Sequence, residues 1–261
     1  MEVKAHAKIN WALRVTGKRA DGYHDIETVL QTISLHDTLT FTASGRLTLT
    51  CDDPAIPADD TNLVVRAARG HNVAIALRKR IPAGGGLGGG SSDAAATLAA
   101  LGISDPAAAL TLGSDVPFFF TGGTAYAVGR GEIITPLPPV RGVPLLLVIP
   151  HERVSTASAY AMLRRFSPPL GMERYRAMIE DGLLAHASEL VNDFEEPVFD
   201  AVPRLRHLKS RMIEAGAAWA AMSGSGSTIV GAFRDAAARD AALTHLADVQ
   251  TGVRIERAET I

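Results

Sequence analysis

The chain has 261 residues, enough for one large or two modest domains with buried cores. Its composition of 47% apolar and 21% charged residues is that of a soluble globular protein, and a net charge of −2 excludes bulk attraction to nucleic acid or to an acidic membrane. A single cysteine, Cys51, excludes an internal disulfide or a cysteine-cluster metal site; with no metal-ligand spacing among the histidines, no secretory apolar segment and no apolar run approaching ~20 residues, a cytoplasmic protein is expected.

Taken in order, residues 2–15 alternate into an apolar run and read as an early strand, followed by a polar loop, Gly17–His24, and a strand over Ile26–Leu35. Strict alternation in 38–42 and 46–50, around Ala43-Ser44-Gly45, predicts a hairpin. Asp60 or Thr61 can cap a short helix through Arg69 that stops at Gly70. Val73, Ile75 and Leu77 alternate into a strand that delivers Arg78-Lys79-Arg80 to a glycine-rich loop. Helices are expected over Ser92–Leu101 and Asp105–Leu112, stopped by Gly102 and Gly113, before a sharp turn at 113–117 into Phe118-Phe119-Phe120 and two short strands. The proline-bearing segment Pro136–Pro144 reads as a boundary between domains at 1–141 and 142–261. Beyond it, strands are expected at Leu145–Ile149, Ala217–Met222, Thr228–Phe233 and Val253–Arg257. Helices are expected at Ala157–Phe166, Glu173–Leu184, Val202–Ala215 and Ala236–Leu246, giving an α+β chain in two halves.

The stretch Pro82–Ala95 carries the strongest chemical signal: six glycines between a strand and an alanine-rich helix. Glycine backbones let successive N–H groups converge on one hollow, and Ser91-Ser92-Asp93 is expected to cap a helix whose positive end faces it, which makes a phosphate cradle. A Walker loop needs Gly-Lys-Ser/Thr, whereas Gly90 is followed by Ser91. Gly84, Gly86 and Gly89 can be read as a dinucleotide fingerprint. The acid expected about 20 residues on falls at Asp105, which reads as a helix start. Three further features can bear chemistry: Lys8 inside an apolar strand, Asp115 at a tight turn, and the small-residue loop Ser223–Ser227. Each also has an ordinary reading, as a solvent-facing lysine, a turn residue and a plain hairpin turn.

Together, Ala7-Lys8-Ile9-Asn10, the Pro82–Ala95 run and the late Gly-Ser-Gly-Ser loop form an ordered set that resembles the three motifs of the GHMP kinases, which include galactokinase, homoserine kinase and mevalonate kinase. The runs Arg19–His24, Asn62–Ala68 and Leu112–Pro117, with weaker support from Asn192–Glu195, look like the 4-diphosphocytidyl-2-C-methyl-D-erythritol kinase family. That resemblance spans nearly the whole chain. It implies a two-domain fold: an N-terminal, ATP-binding half like the second domain of ribosomal protein S5, with a left-handed βαβ crossover, and a ferredoxin-like, substrate-side half. The active site would lie in the cleft between them.

The activity implied is transfer of the ATP γ-phosphoryl group to the 2-hydroxyl of the erythritol unit, in the methylerythritol phosphate pathway. By motif, Asp115 would be the general base, and Lys8 would neutralise charge at the attacking oxygen and hold Asp115 in place. ATP would be bound by Pro82, Ala83, Gly84, Gly85, Gly86, Leu87, Gly88, Gly89, Gly90, Ser91 and Ser92, with Asn62 and Lys79 nearby. The substrate would be bound by Asn10, Tyr23, His24, Thr156 and Tyr160, with Tyr23 and Tyr160 on the two faces of the cytosine. Mg²⁺ would arrive with ATP, with no protein ligand assigned to it. The partner is a small molecule, not nucleic acid or membrane, and the chain is expected to be a monomer or weak homodimer. Segments 69–73 and 101–105 are shorter than the family pattern, and Ser-Ser-Asp replaces the Ser-Ser-Asn of some relatives. The alternatives are another small-molecule GHMP kinase, a catalytically inactive binding protein of the same fold, and an NAD-dependent oxidoreductase.

Overall fold

The two long apolar-alternating runs at the start of the chain become two long strands. In the computed structural model, which describes residues 1–246, 249 and 251–261, β1 (Glu2–Lys18) and β2 (His24–Ala43) pair antiparallel. The expected polar loop shrinks to 19–23, because both strands continue into it. The β1–β2 ladder shifts register at His6/Lys8 and again at Asn10/Ala12. Such bulges re-aim side chains, and here they flank Lys8 and Asn10.

β2 is the hub of a six-stranded sheet. It also pairs antiparallel with β4 (Val73–Arg78) along Thr38–Ala43 and with β5 (Thr124–Gly129) along Ile26–Gln31, and β5 pairs with β6 (Ile133–Pro136). The expected hairpin is corrected: β3 (Thr48–Cys51) pairs in parallel with β4 and not with β2. Phe41 pairs with Ile75, so β4 takes the place beside β2 that a hairpin partner would need, and Leu49 pairs with Ile75 as well. A parallel neighbour requires a crossover, supplied by α1 (Leu63–Ala67) between β3 and β4. Its cap is Asn62, whose Oδ1 accepts Val64 N–H at 2.8 Å, and not Asp60 or Thr61. α2 (Gly89–Ala100) packs on β1 and α1. α3 (Pro106–Leu112) is capped by Asp105, and the phenylalanine run forms one helical turn, α4 (Phe118–Thr121).

The second half is an antiparallel sheet in the order β10-β7-β9-β8, formed by β7 (Pro144–Pro150), β8 (Trp219–Met222), β9 (Ile229–Ala232) and β10 (Val253–Glu259). The uninterrupted apolar run of β7 fits its central place, with Leu145–Ile149 all buried. α5 (Thr156–Met162) ends sooner than expected, where Leu163 turns extended. The helix expected over 173–184 divides at Gly182 (φ +96°) into α6 (Met172–Glu180) and a 3-10 turn, Leu183–Glu189. α7 (Glu195–Ala201) was not anticipated, because Pro197 reads as a breaker; it sits in the first turn, where proline is tolerated. α8 (Pro203–Glu214) and α9 (Ala236–His245) complete the layer.

The halves share one apolar core. Ile9, Trp11, Val29 and Ile33 of the first sheet pack with Leu145, Leu147, Trp219 and Val230 of the second, and the Trp11 and Trp219 rings lie 4.8 Å apart. Backbone bonds join them too: Leu13 N–H to Val191 O (2.8 Å) and Asp193 N–H to Leu13 O (2.9 Å). Among the described residues no helix is long and apolar enough to cross a membrane.

Candidate active site

The glycine loop is fixed at its stem before it becomes irregular. Asp37 of β2, fully buried, accepts Ile81 N–H at 2.8 Å and also the N–H of Arg80 and the ammonium of Lys79. Lys79 Nζ donates a further bond to Asp93 Oδ2 at 2.8 Å. Burial alone would lower the Lys79 pKa, but the charges of Asp93 and Asp37 outweigh it and raise it. Burial pushes Asp93 up to about 7, with Asp37 adding to the rise against the pull of Lys79.

Gly86 and Gly88 show why the loop needs glycine. At Gly86 (φ +80°) a Cβ would come within 2.1 Å of Ser223 O, and at Gly88 (φ +71°) within 2.9 Å of Phe119 Cζ and 3.0 Å of Lys8 Cγ. α2 starts at Gly89, three residues before the expected Ser92, and its cap residue is left-handed Gly88 with no side-chain cap bond. The expectation of a Ser-Ser-Asp cap is therefore corrected: these residues lie inside the helix. The reason favours anion binding, since a side-chain acceptor would occupy the first-turn N–H groups. Those of Gly89, Gly90 and Ser91 have no intrahelical acceptor and carry the positive end of the helix dipole.

Lys8 follows a bulge in β1 and is 5% exposed. Its ammonium donates to Asn10 Oδ1 at 2.9 Å and stands 3.6 Å from Asp115 Oδ2. Asn10 is steadied in turn by its donation to Thr28 Oγ1 at 2.8 Å. Asp115, from the turn before α4, is 43% exposed at its side chain and faces the cavity. The second small-residue loop closes over this pair. Ser223 Oγ donates to Gly86 O at 3.0 Å, and Thr228 N–H to Gly85 O at 3.3 Å. A Cβ on Gly224 would lie 3.5 Å from Lys8 Nζ. Asn192 pins the same loop by donating from Nδ2 to Met222 O (2.7 Å) and Gly224 O (2.8 Å).

On the other side of the cavity lie aromatic side chains. His24 stacks on Tyr160, with centroids 4.6 Å apart and planes at 15°, and Tyr160 meets Phe194 edge-on at 4.9 Å. The His24 ring thus covers a face of Tyr160 that the family resemblance reserves for a base. Tyr23 is exposed, with the Arg130 guanidinium 4.7 Å from its ring centre. Burial, then the charge of Lys18, lowers the His24 pKa; burial, then the charge of Asp115, pushes Tyr160 up to about 12. Thr156 Oγ1 lies 3.0 Å from Ser225 Oγ, which ties α5 to the second loop.

Lys8, Asn10, Tyr23, His24, Pro82–Gly86, Gly88–Ser91, Asp115, Thr156 and Tyr160 all line one cavity of about 1030 Å³. Four expected nucleotide residues do not line it. Lys79 is held by its two carboxylates, Asn62 caps α1, Leu87 is 1% exposed, and the buried Ser92 hydroxyl donates to His6 O at 2.6 Å. Arg130, Lys18, Phe166 and Phe194 also line the cavity; Lys18 and Phe194 fall in the runs Gly17–His24 and Asn192–Glu195 that carried a sequence signal, but none of the four stood out as a site residue. Asp115 is the one carboxylate lining it among the described residues, and no group of three potential metal ligands occurs there.

The arrangement joins an anion cradle, a lysine–aspartate pair at the reacting end and an aromatic wall. Family models agree with its two halves: the GHMP kinases N terminal domain matches residues 61–123 and the GHMP kinases C terminal domain matches 176–249. A 4-diphosphocytidyl-2-C-methyl-D-erythritol kinase of Solibacter usitatus is 46% identical, over 89% of this chain and 81% of that protein. One of Chlorobium chlorochromatii is 39% identical, over 94% and 93%. The crystal structure of a 4-(cytidine 5'-diphospho)-2C-methyl-D-erythritol kinase superposes with a TM-score of 0.82 at 35% identity, covering 100% of this chain and 99% of that one. Methanococcus jannaschii mevalonate kinase superposes with a TM-score of 0.71 at 14% identity, covering 100% and 98%, a likeness of fold alone.

Proposed function

The chain belongs to the GHMP kinases, in the 4-diphosphocytidyl-2-C-methyl-D-erythritol kinase family, and we propose that its cleft performs that family's reaction with Asp115 as the base and Lys8 beside it. The γ-phosphoryl group of ATP moves to the 2-hydroxyl of 4-diphosphocytidyl-2-C-methyl-D-erythritol, giving the 2-phosphate and ADP for isoprenoid precursor synthesis. Phosphoryl transfer asks for positioning, stabilisation of spread negative charge and one acceptor for the hydroxyl proton. The free N–H groups at 89–91 face the ATP phosphates. Asp115 takes the proton as the oxygen attacks phosphorus, and the Lys8 ammonium, 3.6 Å away, offsets charge on that oxygen. Asn10 keeps Lys8 aimed through its 2.9 Å bond.

Mg²⁺ would be carried by the phosphate oxygens. Such a cation needs only one or two protein oxygens, and Ser91, whose side chain lines the cavity while Ser92 is held by His6, fits that modest demand. When bound, the metal supplies charge neutralisation between phosphate oxygens. The cytosine is assigned to the aromatic side, against Tyr23, His24 and Tyr160. That wall favours a base-bearing substrate over homoserine or mevalonate, which offer nothing to stack.

The observation that carries the reading is the Lys8–Asp115 pair in the same cavity as the glycine cradle and the aromatic wall. The test is coupled ADP release from ATP, Mg²⁺ and the cytidyl substrate, for wild type and Asp115→Ala. Turnover by wild type with a loss of at least ~10²-fold in the variant is expected. Turnover that survives the substitution removes Asp115 as base. Acceptance of homoserine or mevalonate in place of the cytidyl substrate removes the base pocket.

A further inference from the structure

A second cavity, of about 420 Å³, lies where β2, the end of β4 and β10 meet, and it shares no lining residue with the cleft. We propose that it is a binding site for a small diphosphate-bearing ligand, gripped by Arg78 and Arg80 from one wall and Arg254 from the other. Strand alternation builds the first wall: Lys79 turns inward to Asp37 and Asp93, while Arg78 and Arg80 on either side of it are exposed. Among the described residues, neither guanidinium has a hydrogen-bond or ion-pair partner. On the second wall, Arg254 is paired among the described residues only through Nε, to Glu256 Oε1 (2.6 Å), leaving its terminal nitrogens open. Arg257 alternates to the opposite face of β10 and pairs with Asp240 of α9 at 2.9 Å.

Glu256 is the one acid lining this hollow, against Arg78, Arg80 and Arg254, in a chain whose net charge is −2. Arg78 and Arg80 have no matching anion and repel one another, and a multiply charged ligand removes that repulsion. Guanidinium forks match phosphate oxygens bidentately, and three forks from two walls suit two linked phosphates better than one. The volume fits a small molecule. A polynucleotide would need an extended basic stripe, and the overall charge offers none. The site is independent of the assignment of the cleft.

The test is calorimetric titration of the full chain with inorganic diphosphate, with the cleft kept filled by saturating ADP. Single-site binding is expected, weakened at least ~10-fold in Arg78→Ala/Arg80→Ala, as loss of charge-assisted bonds implies. The same loss is expected in Arg254→Ala, whose exposed ion pair adds little to folding, and a change of less than ~2-fold in Arg257→Ala, which faces α9. Binding should also weaken as NaCl rises from about 50 to about 300 mM. Methyl diphosphate distinguishes the two sources of this chemistry: equal binding identifies the diphosphate end of an ester as the ligand, and its rejection identifies the free anion. Absence of heat, or heat unchanged in both Arg78→Ala/Arg80→Ala and Arg254→Ala, overturns the proposal. So does tighter binding of a short single-stranded oligonucleotide than of diphosphate, which would make the groove part of a polyanion surface.

Discussion

Replacing Gly86 by alanine tests how closely the two halves meet under the cleft. At φ +80° an alanine pays the left-handed cost of ~1–2 kcal/mol. Its Cβ would also lie 2.1 Å from Ser223 O, with Ser223 C at 3.0 Å and Gly226 O at 3.1 Å. These are backbone atoms, and the Ser223 carbonyl belongs to a loop pinned by Asn192 on one side and by Thr228 on the other. No side-chain rotation relieves the overlap, so overpacking adds ~1–3 kcal/mol. The sum, ~2–5 kcal/mol, is a large share of a typical stability of ~5–15 kcal/mol. If the loops separate to escape it, the cradle loses its floor and the KM for ATP rises at least ~10-fold. Urea unfolding and coupled ADP release measure the two effects, and Gly45→Ala is the control. Gly45 has nothing within 4 Å and no positive φ, so its change should stay within ~1 kcal/mol. A Gly86→Ala protein within ~0.5 kcal/mol of wild type, with an unchanged KM for ATP, would refute the reasoning.

Three further outcomes are expected. Asn192→Ala, which removes bonds to Met222 O, Gly224 O and Phe194 N–H at a buried site, should cost ~2–4 kcal/mol in urea unfolding and raise the KM for ATP; a neutral result would mean that the 223–227 loop holds itself. Because the folded-state pKa of Asp93 is raised from 3.8 to about 7, the folded chain binds the extra proton between those values. Its contribution to stability therefore falls as pH rises through that window, and the penalty is complete above about 7. Differential scanning fluorimetry should show the Tm of Asp93→Asn gaining on wild type between about pH 5.5 and about pH 8, and a constant gap would contradict this. His24, lowered from 6.5 by burial and then by Lys18, should remain neutral down to at least that value. The KM for the cytidyl substrate should then be level from about pH 8 to 6.5 and rise below it, a rise absent in His24→Gln.

The strands and most helices could be read in the sequence because their signals are local. Alternation gave β4 and β10, the unbroken apolar run gave β7, and Asp105 marked its helix start. What escaped depends on partners distant in sequence. Alternation in 46–50 announces a strand but not its neighbour, so β3 was assigned to β2 when it belongs to β4. Ser91-Ser92-Asp93 looks like a helix cap until left-handed Gly88 is seen to begin the helix. Lys79 looks like a phosphate ligand because a lysine beside a glycine loop often is one; Asp37, 42 residues before it, and Asp93, 14 after it, show it engaged elsewhere. Lys8 and Asp115 were separately ambiguous, and the 106 positions between them are bridged only by the fold.

The bonds from Ser223 and Thr228 to the glycine loop, together with the Trp11–Trp219 contact of the shared core, tie the two halves together at the cradle. Rotation of one half against the other would cost those contacts, whereas the aromatic side of the cavity is held by ring stacking. There α5 carries Tyr160 onto His24, and the helix is anchored by buried Ala159 and by the Thr156–Ser225 contact. Unstacking that one ring pair would open the aromatic side while leaving the bonds between the two loops in place.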